Sequence, residues 1–256
     1  MAIIKTNKMS RSNTSEKKIS VVLPTYNEKE NIVVLIENIF SHLDQNTEVL
    51  VVDDNSPDGT WQIVEELTET YPNLRLLRRL DKRGLTSALN DGIKAAKGDI
   101  VAWMDCDLSM PPEKLKELKD KIDEGYDAAV ASRFVKGGGV EIRTGSTDTV
   151  FAYILSLCLN RFIQTILDSS FKDYTSGFIM IKKSILEEIP LKGDYGEYFI
   201  DLIHRTRKKG YKTIEIPYLC RARNQGVSKT GTNIFQYLKR GSKYLKMTLG
   251  LKFSKL

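Results

Sequence analysis

The chain has 256 residues, 41% of them hydrophobic, which is enough for one large α/β domain and excludes a chain that is disordered throughout. Its net charge of +6 and pI of about 9.0 call for an acidic partner: nucleotide phosphates, an anionic membrane or nucleic acid. Three scattered cysteines, Cys106, Cys158 and Cys220, exclude a disulfide framework and fit a reducing cytoplasm, and the two histidines, His42 and His204, exclude a histidine-cluster metal site.

Residues 1–17 are polar and basic, without the apolar stretch of a secretory signal, and are expected to form a disordered leader. A buried-strand pattern follows at Ile19–Leu23, stopped by Pro24, and then helical spacing over Asn31–Phe40. Val49–Val52 is a second strand, closed by the polar turn Asp53–Gly59, and Thr60 is expected to cap a helix running to Tyr71. Leu74–Leu77 reads as a strand, Leu85–Ala96 as a helix ended by Gly98, and Ile100–Met104 as a fourth strand. An amphipathic helix from Pro112 to Glu124, a strand at Ala128–Ser132 and a flexible loop at Gly137–Gly139 come next. Between 149 and 167, Phe151, Leu155, Cys158, Phe162 and Ile166 form one apolar stripe on a helix. Asn160, Arg161 and Gln164 interrupt that run, so it does not read as a membrane span. Glu197–Lys208 is helical and Lys212–Tyr218 a strand. The tail 233–256 mixes Lys239, Arg240, Lys243 and Lys246 with Ile234, Tyr237, Leu238 and Leu245, and no acid follows Glu215. The domain proper is therefore expected over 18–232, with a basic amphipathic tail.

Alternating strands and helices at this spacing predict a Rossmann-like, mostly parallel sheet flanked by helices. Ligands bind such sheets beyond the carboxyl ends of the strands. Three polar clusters fall there, Pro24–Glu28, Asp53–Asp58 and Asp105–Ser109, and they are expected to share one rim.

The third cluster contains Asp105-Cys106-Asp107. In an extended segment alternate side chains share a face, so both carboxylates would point together. Like charges side by side call for a cation, and Mg²⁺ or Mn²⁺ prefers hard oxygens and bridges carboxylates to diphosphates. Such a triplet alone marks only a polar turn; its place behind an apolar strand makes it a candidate metal site. Asp53 and Asp54 are candidates to accept the ring N–H of a nucleobase. Arg133, Arg223 and Lys229 are candidate phosphate contacts, the last two flanking Gly226 and Ser228 in a loop suited to fold over phosphates.

Seven stretches, VVLPTYNEKENI (21–32), VVDDNSPDGT (51–60), RGLTSALNDGI (83–93), MDCDLSMPPE (104–113), ASRF (131–134), DYTSGF (173–178) and RNQGVSK (223–229), together resemble family 2 glycosyltransferases of the A-type fold, and within them the dolichol-phosphate mannose synthases. The resemblance implies an inverting transfer of mannose from GDP-mannose to dolichyl or polyprenyl phosphate at the cytoplasmic face of a membrane. It implies that Pro24, Tyr26, Glu28, Val52 and Asp54 hold the nucleotide, with Met104 and Cys106 beside the acids. Asp105 and Asp107 would hold metal and donor phosphates, with Ser109 as an auxiliary metal ligand. Arg133, Arg223 and Lys229 would meet donor and acceptor phosphates, and Asp173 with TSGF would border the sugar and acceptor.

A phosphate monoester has a second pKa of about 6, so the acceptor is largely a dianion at neutral pH and attacks without a protein base. That suits a chain so poor in histidine. The family pattern of an arginine four residues before a serine is not kept at Ser156, which has Ala152 there; Arg143 lies upstream, four before Thr147. The acceptor phosphate set is therefore Arg133, Arg143 and Ser156. The family's glutamate near Tyr198 is Asp201 here. Among relatives, the resemblance is to short forms without transmembrane helices, which implies attachment through the helix at 149–167, the basic tail or a membrane-anchored partner. The alternatives are a UDP-glucose-dependent or other family 2 transferase, and a non-catalytic nucleotide-sugar-binding or scaffold subunit. No nucleic-acid recognition motif is present.

Overall fold

In the strands, consecutive apolar residues serve two layers at once. The computed structural model describes residues 18–44, 46–142, 147–222 and 234–254. In β1 (Ile19–Thr25) and β2 (Glu48–Asp53), Val21, Leu23, Val49 and Val51 face one layer, while Val22, Leu50 and Val52 face the other. Each such side chain contributes about 1.5–3 kcal/mol when fully buried. α1 (Ile32–His42) and α2 (Thr60–Leu67) cover the first layer. β3 (Leu74–Arg78) lies outside β2, and α3 (Leu85–Ala95) covers the second layer. β4 (Ile100–Trp103) pairs with the other side of β1, and α4 (Lys114–Asp123) returns to the first layer.

The second half begins with β5 (Ala128–Ser132) and the short β6 (Gly139–Val140). The helix α5 (Thr147–Ile166) leads to β7 (Ile179–Lys182) and α6 (Lys183–Glu188). α7 (Tyr198–Lys208), β8 (Thr213–Pro217), β9 (Leu219–Cys220) and α8 (Ile234–Phe253) complete the order. The main sheet runs β3-β2-β1-β4-β7-β5-β8. It is parallel except at β7, which pairs antiparallel with both β4 and β5. β6 and β9 form a separate parallel pair, so the glycine run expected to be a loop is partly a strand.

The expected mostly parallel sheet is thus observed, with three local corrections. Thr60 does not cap α2. Gly59, with φ of 92°, stands at the cap, and Thr60 is the first helical residue. Its hydroxyl instead donates to Asp58 and accepts the Glu28 amide. Second, the stripe expected on α5 is not its core face. Leu155 and Cys158 are exposed, whereas Asn160, Ile163 and Gln164 are buried. Third, Asp105–Asp107 is not extended, because β4 ends at Trp103 and the chain turns. The leader 1–17, Arg143, Arg223 and Lys229 lie outside the described residues.

Candidate active site

The three polar clusters do meet at one rim. Parallel register places Thr25 beside Asp53, and β4 lies on the opposite flank of β1. Asn27 N donates to Ser56 Oγ at 3.0 Å, Lys29 N to Asp58 at 3.1 Å, and the Cys106 thiol to the Pro24 carbonyl at 3.5 Å. Asn27, Asn55 and Leu108 are the only non-glycine residues with positive φ among the described ones, and each cluster holds one of them. Backbone in the left-handed region is costly for a side chain such as Leu108, so the surrounding contacts hold it there.

Asp53 is fully buried and shapes its own turn. Its carboxylate accepts Ser56 N at 2.8 Å, Ser56 Oγ at 2.6 Å and Thr25 Oγ1 at 2.8 Å. Asp54 accepts the Gly84 amide at 2.8 Å and pairs with Arg79, itself 5% exposed. Glu28 is buried and accepts Asn31 Nδ2 at 3.0 Å. The candidate nucleotide residues thus form a rigid wall: Val52 is buried, and Arg83 stands over the Tyr26 ring at 5.0 Å. Arg79 was not anticipated; nothing in the order of residues marks one arginine in Arg78-Arg79 as buried.

Past Met104 the chain turns, leaving Asp105 exposed and Asp107 buried. Asp107 Oδ1 accepts Ser109 N at 3.0 Å, which binds the turn together. Burial raises the Tyr198 and Tyr218 hydroxyls and the Cys220 thiol, and the charge of Asp105 raises all three further. Carboxylate oxygens on a turn, with their negative charge felt by three neighbours, suit a hard divalent cation. No group of three or more His, Cys, Asp or Glu gathers as a metal cluster among the described residues.

Asp105 and Ser109 also line a cavity of about 850 Å³. Arg133, Ser156 and Thr175 form its polar side, and Leu155, Leu159 and Phe162 of α5 with Leu245 of α8 form an apolar side. Of the expected α5 stripe, Leu155 and Phe162 face this cavity, and Cys158 and Ile166 do not line it. α8 closes the cavity through Tyr244, packed on Gly196, and through Lys243, 2.7 Å from Asp194.

Arg133 is fixed by the fully buried Asp173. Its N, Nε and Nη2 donate to that carboxylate at 3.0, 2.8 and 2.7 Å, and Nη2 also reaches Thr175 Oγ1 at 2.8 Å. Burial opposes the guanidinium charge, but Asp173 outweighs it and holds the pKa above the ordinary arginine value. Asn160 Nδ2 donates to the same Thr175 oxygen at 2.7 Å, and Ser156 Oγ lies 3.4 Å from it. Asp173 therefore holds Arg133 from outside the cavity lining. Ser156, Asn160 and Gln164, spaced four apart, form the buried polar edge of α5 toward the DYTSGF segment. Glu215 of β8, also unanticipated, accepts the amides of Lys172 at 2.7 Å and Asp173 at 2.9 Å.

Residues 20–190 match the glycosyl transferase family 2 model. The chain belongs to glycosyl transferase family 2. It is 36% identical over 233 residues to a dolichol-phosphate mannosyltransferase of Pyrococcus furiosus, covering 87% of this chain and 62% of that protein. It is 34% identical over 222 residues to a polyprenol monophosphomannose synthase of Mycolicibacterium smegmatis, covering 84% and 82%. In fold it is similar to glucosyl-3-phosphoglycerate synthase from Mycobacterium tuberculosis, solved with Mn²⁺, UDP and phosphoglyceric acid, at a TM-score of 0.68, 18% identity, and 93% and 79% coverage. A mannosyltransferase from Pyrobaculum calidifontis, solved with GDP-Man and Mn²⁺, gives a TM-score of 0.61 at 22% identity, with 93% and 64% coverage. The A-type glycosyltransferase fold expected from the motifs is therefore the one observed. No helix among the described residues is long and apolar enough to cross a membrane.

Proposed function

We propose that this family 2 transferase moves mannose from GDP-mannose to dolichyl or polyprenyl phosphate, inverting the anomeric centre, at the cytoplasmic face of a membrane. The observation that carries this is the cavity: it joins Asp105 and Arg133 to an apolar wall built from α5 and α8. A polar mouth opening on an apolar trough suits a phosphate carried on an isoprenoid. The mannosyl lipid activities named for the two curated relatives support the same reading.

In this reading the wall around Pro24, Tyr26, Val52 and Asp54 takes the nucleotide. Asp105 and Asp107, with Ser109 beside them, would hold Mg²⁺ or Mn²⁺. A cation there would supply charge stabilisation for the leaving nucleoside diphosphate. Arg133, held by Asp173, orients the acceptor phosphate with Ser156; Arg223 and Lys229 neutralise the two phosphate groups, and Arg143 is a further acceptor contact. Positioning and charge stabilisation carry the catalysis, because the acceptor dianion supplies its own nucleophile.

Exposed apolar side chains stand on the elements that also contribute to the cavity: Val150 and Ile154 on α5, Leu219 on β9, Leu249 and Phe253 on α8. With Lys243, Lys246 and Lys252 they suit an anionic bilayer, each basic residue contributing about 1 kcal/mol near such a surface.

The test is transfer to polyprenyl phosphate with Mg²⁺ or Mn²⁺ and labelled GDP-mannose or UDP-glucose in parallel. Lipid-linked label from GDP-mannose alone is expected, and its loss in Asp107→Asn at an unchanged melting temperature. Label from UDP-glucose alone would reassign the donor. Nucleotide binding without any lipid product would favour a different acceptor or a non-catalytic subunit.

A further inference from the structure

Between Phe171 and Phe178 the chain forms neither helix nor strand, yet it carries the carboxylate that aims Arg133. Its backbone amides need partners, because buried N–H groups without acceptors are costly. Two consecutive amides, those of Lys172 and Asp173, are taken by the two oxygens of one side chain, Glu215. Tyr174 N goes to Asn160 Oδ1 at 2.8 Å, and Thr175 N to Asp173 Oδ1 at 3.2 Å. The buried Ser132, the residue before Arg133, favours the charged form of Glu215. Burial pushes the Glu215 carboxyl above its ordinary value against the pull of the Lys172 amide, Ser132 and the Asp173 amide. No ion pair forms at Glu215 among the described residues. A carboxylate placed there, with two backbone amides as its partners, ties β8 to the start of this segment, which Gln164, Asn160 and Ser176 hold at other points.

We infer that Glu215 is a positioning residue for the acceptor phosphate: it clamps the Lys172 and Asp173 amides, and thereby sets the Asp173 carboxylate that orients Arg133. This rests on the proposed reading, in which Arg133 meets the acceptor. Glu215→Gln preserves size but offers one acceptor oxygen and sets an NH₂ group against the second amide. Asp173 would then lose its seat, and the Arg133 fork its alignment.

The experiment compares Glu215→Gln, Arg133→Lys and the double variant in steady-state transfer with GDP-mannose and a polyprenyl phosphate. Glu215→Gln is expected to raise the acceptor KM about tenfold, the scale of one lost buried charged bond, with the donor KM within about twofold of the parent. The double variant should add little beyond Arg133→Lys, as residues acting through one another are non-additive. The Arg133 Nε–H resonance, identified by its absence in Arg133→Lys, should move toward that of an exposed arginine. Glu215→Asp, which keeps the charge but shortens the reach, provides the same comparison if the glutamine variant folds poorly. An unchanged acceptor KM and Arg133 resonance in Glu215→Gln, with a raised acceptor KM in Arg133→Lys, would overturn the inference. Equal rises in both KM values would overturn it too, since a merely structural role predicts them. An unchanged acceptor KM in Arg133→Lys would instead remove the assignment of Arg133 to the acceptor.

Discussion

Arg79 Nε donates to Asp54 Oδ1 at 2.7 Å, and both residues are less than a tenth exposed. The same guanidinium reaches Ser87 Oγ and Asp91 Oδ2 of α3, each at 3.0 Å, and the Gly84 carbonyl at 3.3 Å. One side chain therefore ties the end of β2 to the loop at 80–84 and to α3. Lysine keeps the charge but cannot make this fork. Arg79→Lys is expected to raise the donor KM about tenfold while leaving the acceptor KM within about twofold, the loss of roughly 1–2 kcal/mol in one binding step. Titration of GDP-mannose and acceptor separately measures this; equal donor KM values in parent and variant would detach Arg79 from the nucleotide wall.

The second glycine of the RGLTSALNDGI stretch, Gly92, has a packing reason. A Cβ on Gly92 would stand 2.4 Å from Val22 Cγ1 and 2.9 Å from Val52 Cγ2, so α3 lies directly on the sheet. Gly92→Ala gains up to about 1 kcal/mol of helix propensity but overpacks the core by about 1–3 kcal/mol or more. A lower melting temperature is expected, by about 2–4 °C per kcal/mol of net loss in a chain of this size. Val22→Ala in the same chain should recover part of it. A melting temperature above the parent's would show that α3 rises from the sheet at little cost.

Gly196 plays the corresponding part for α8. A Cβ there would lie 2.1 Å from the Tyr244 hydroxyl oxygen and 3.2 Å from Cζ. Gly196→Ala is expected to displace α8 and to hasten tryptic cleavage at Lys243 and Lys246 several-fold. Adding Tyr244→Phe, which removes the colliding oxygen, should restore resistance. Unchanged digestion in Gly196→Ala would mean that Tyr244 swings aside and the helix stays docked.

Asp168 pairs with Arg207 at 2.7 Å and accepts Ser170 N and Oγ. Partial burial raises its carboxyl, but the bonds from Ser170 and Arg207 prevail and hold it near 2, against an ordinary 3.8. A depressed folded value stabilises the fold above the ordinary pKa and loses that contribution as pH falls toward the folded one. Asp168→Asn should therefore cost stability at pH 7, by about 0.5–1 kcal/mol after screening at this partly exposed site. The difference from the parent should shrink between about pH 4 and pH 2, as followed by urea unfolding. A pH-independent difference would assign the effect to Ser170 alone.

The first half was readable because β1, β2 and β4 are buried on both faces and its turns carry Pro, Asp, Asn and Gly at the ends of apolar runs. The second half was less so. Ile179–Lys182 is a short apolar run without alternation, and only its long-range pairing with β4 and β5 makes it an antiparallel strand. On α5, Asn160, Arg161 and Gln164 read as interruptions of an apolar run, whereas Asn160 and Gln164, with Ser156, form the edge joined to Lys172 and the DYTSGF segment. The triplet Asp105-Cys106-Asp107 was legible as chemistry but not as shape, since Leu108 at φ of 62° turns the chain. Arg79 and Glu215 are lone charged residues outside any motif, and only the burial of Arg79 and the two backbone amides that Glu215 accepts distinguish them from surface charges.

The order of the main sheet has a consequence for how this molecule can change over time. Residues 19–103 alone build β3-β2-β1-β4, and everything beyond the antiparallel β7 comes from later in the chain. The seam between the two halves runs along one strand pair, β4 and β7, and opens at the turn that holds Asp105. Under the proposed function, insertions, losses or exchanges in the later half would retune which molecule receives the sugar while the earlier half continues to present the same donor. A chimera that keeps 19–103 and borrows the remainder from a relative would have to match the β4–β7 pair and also the contacts of Thr86 with Tyr195, Asn90 with Leu191 and Trp103 with Tyr198.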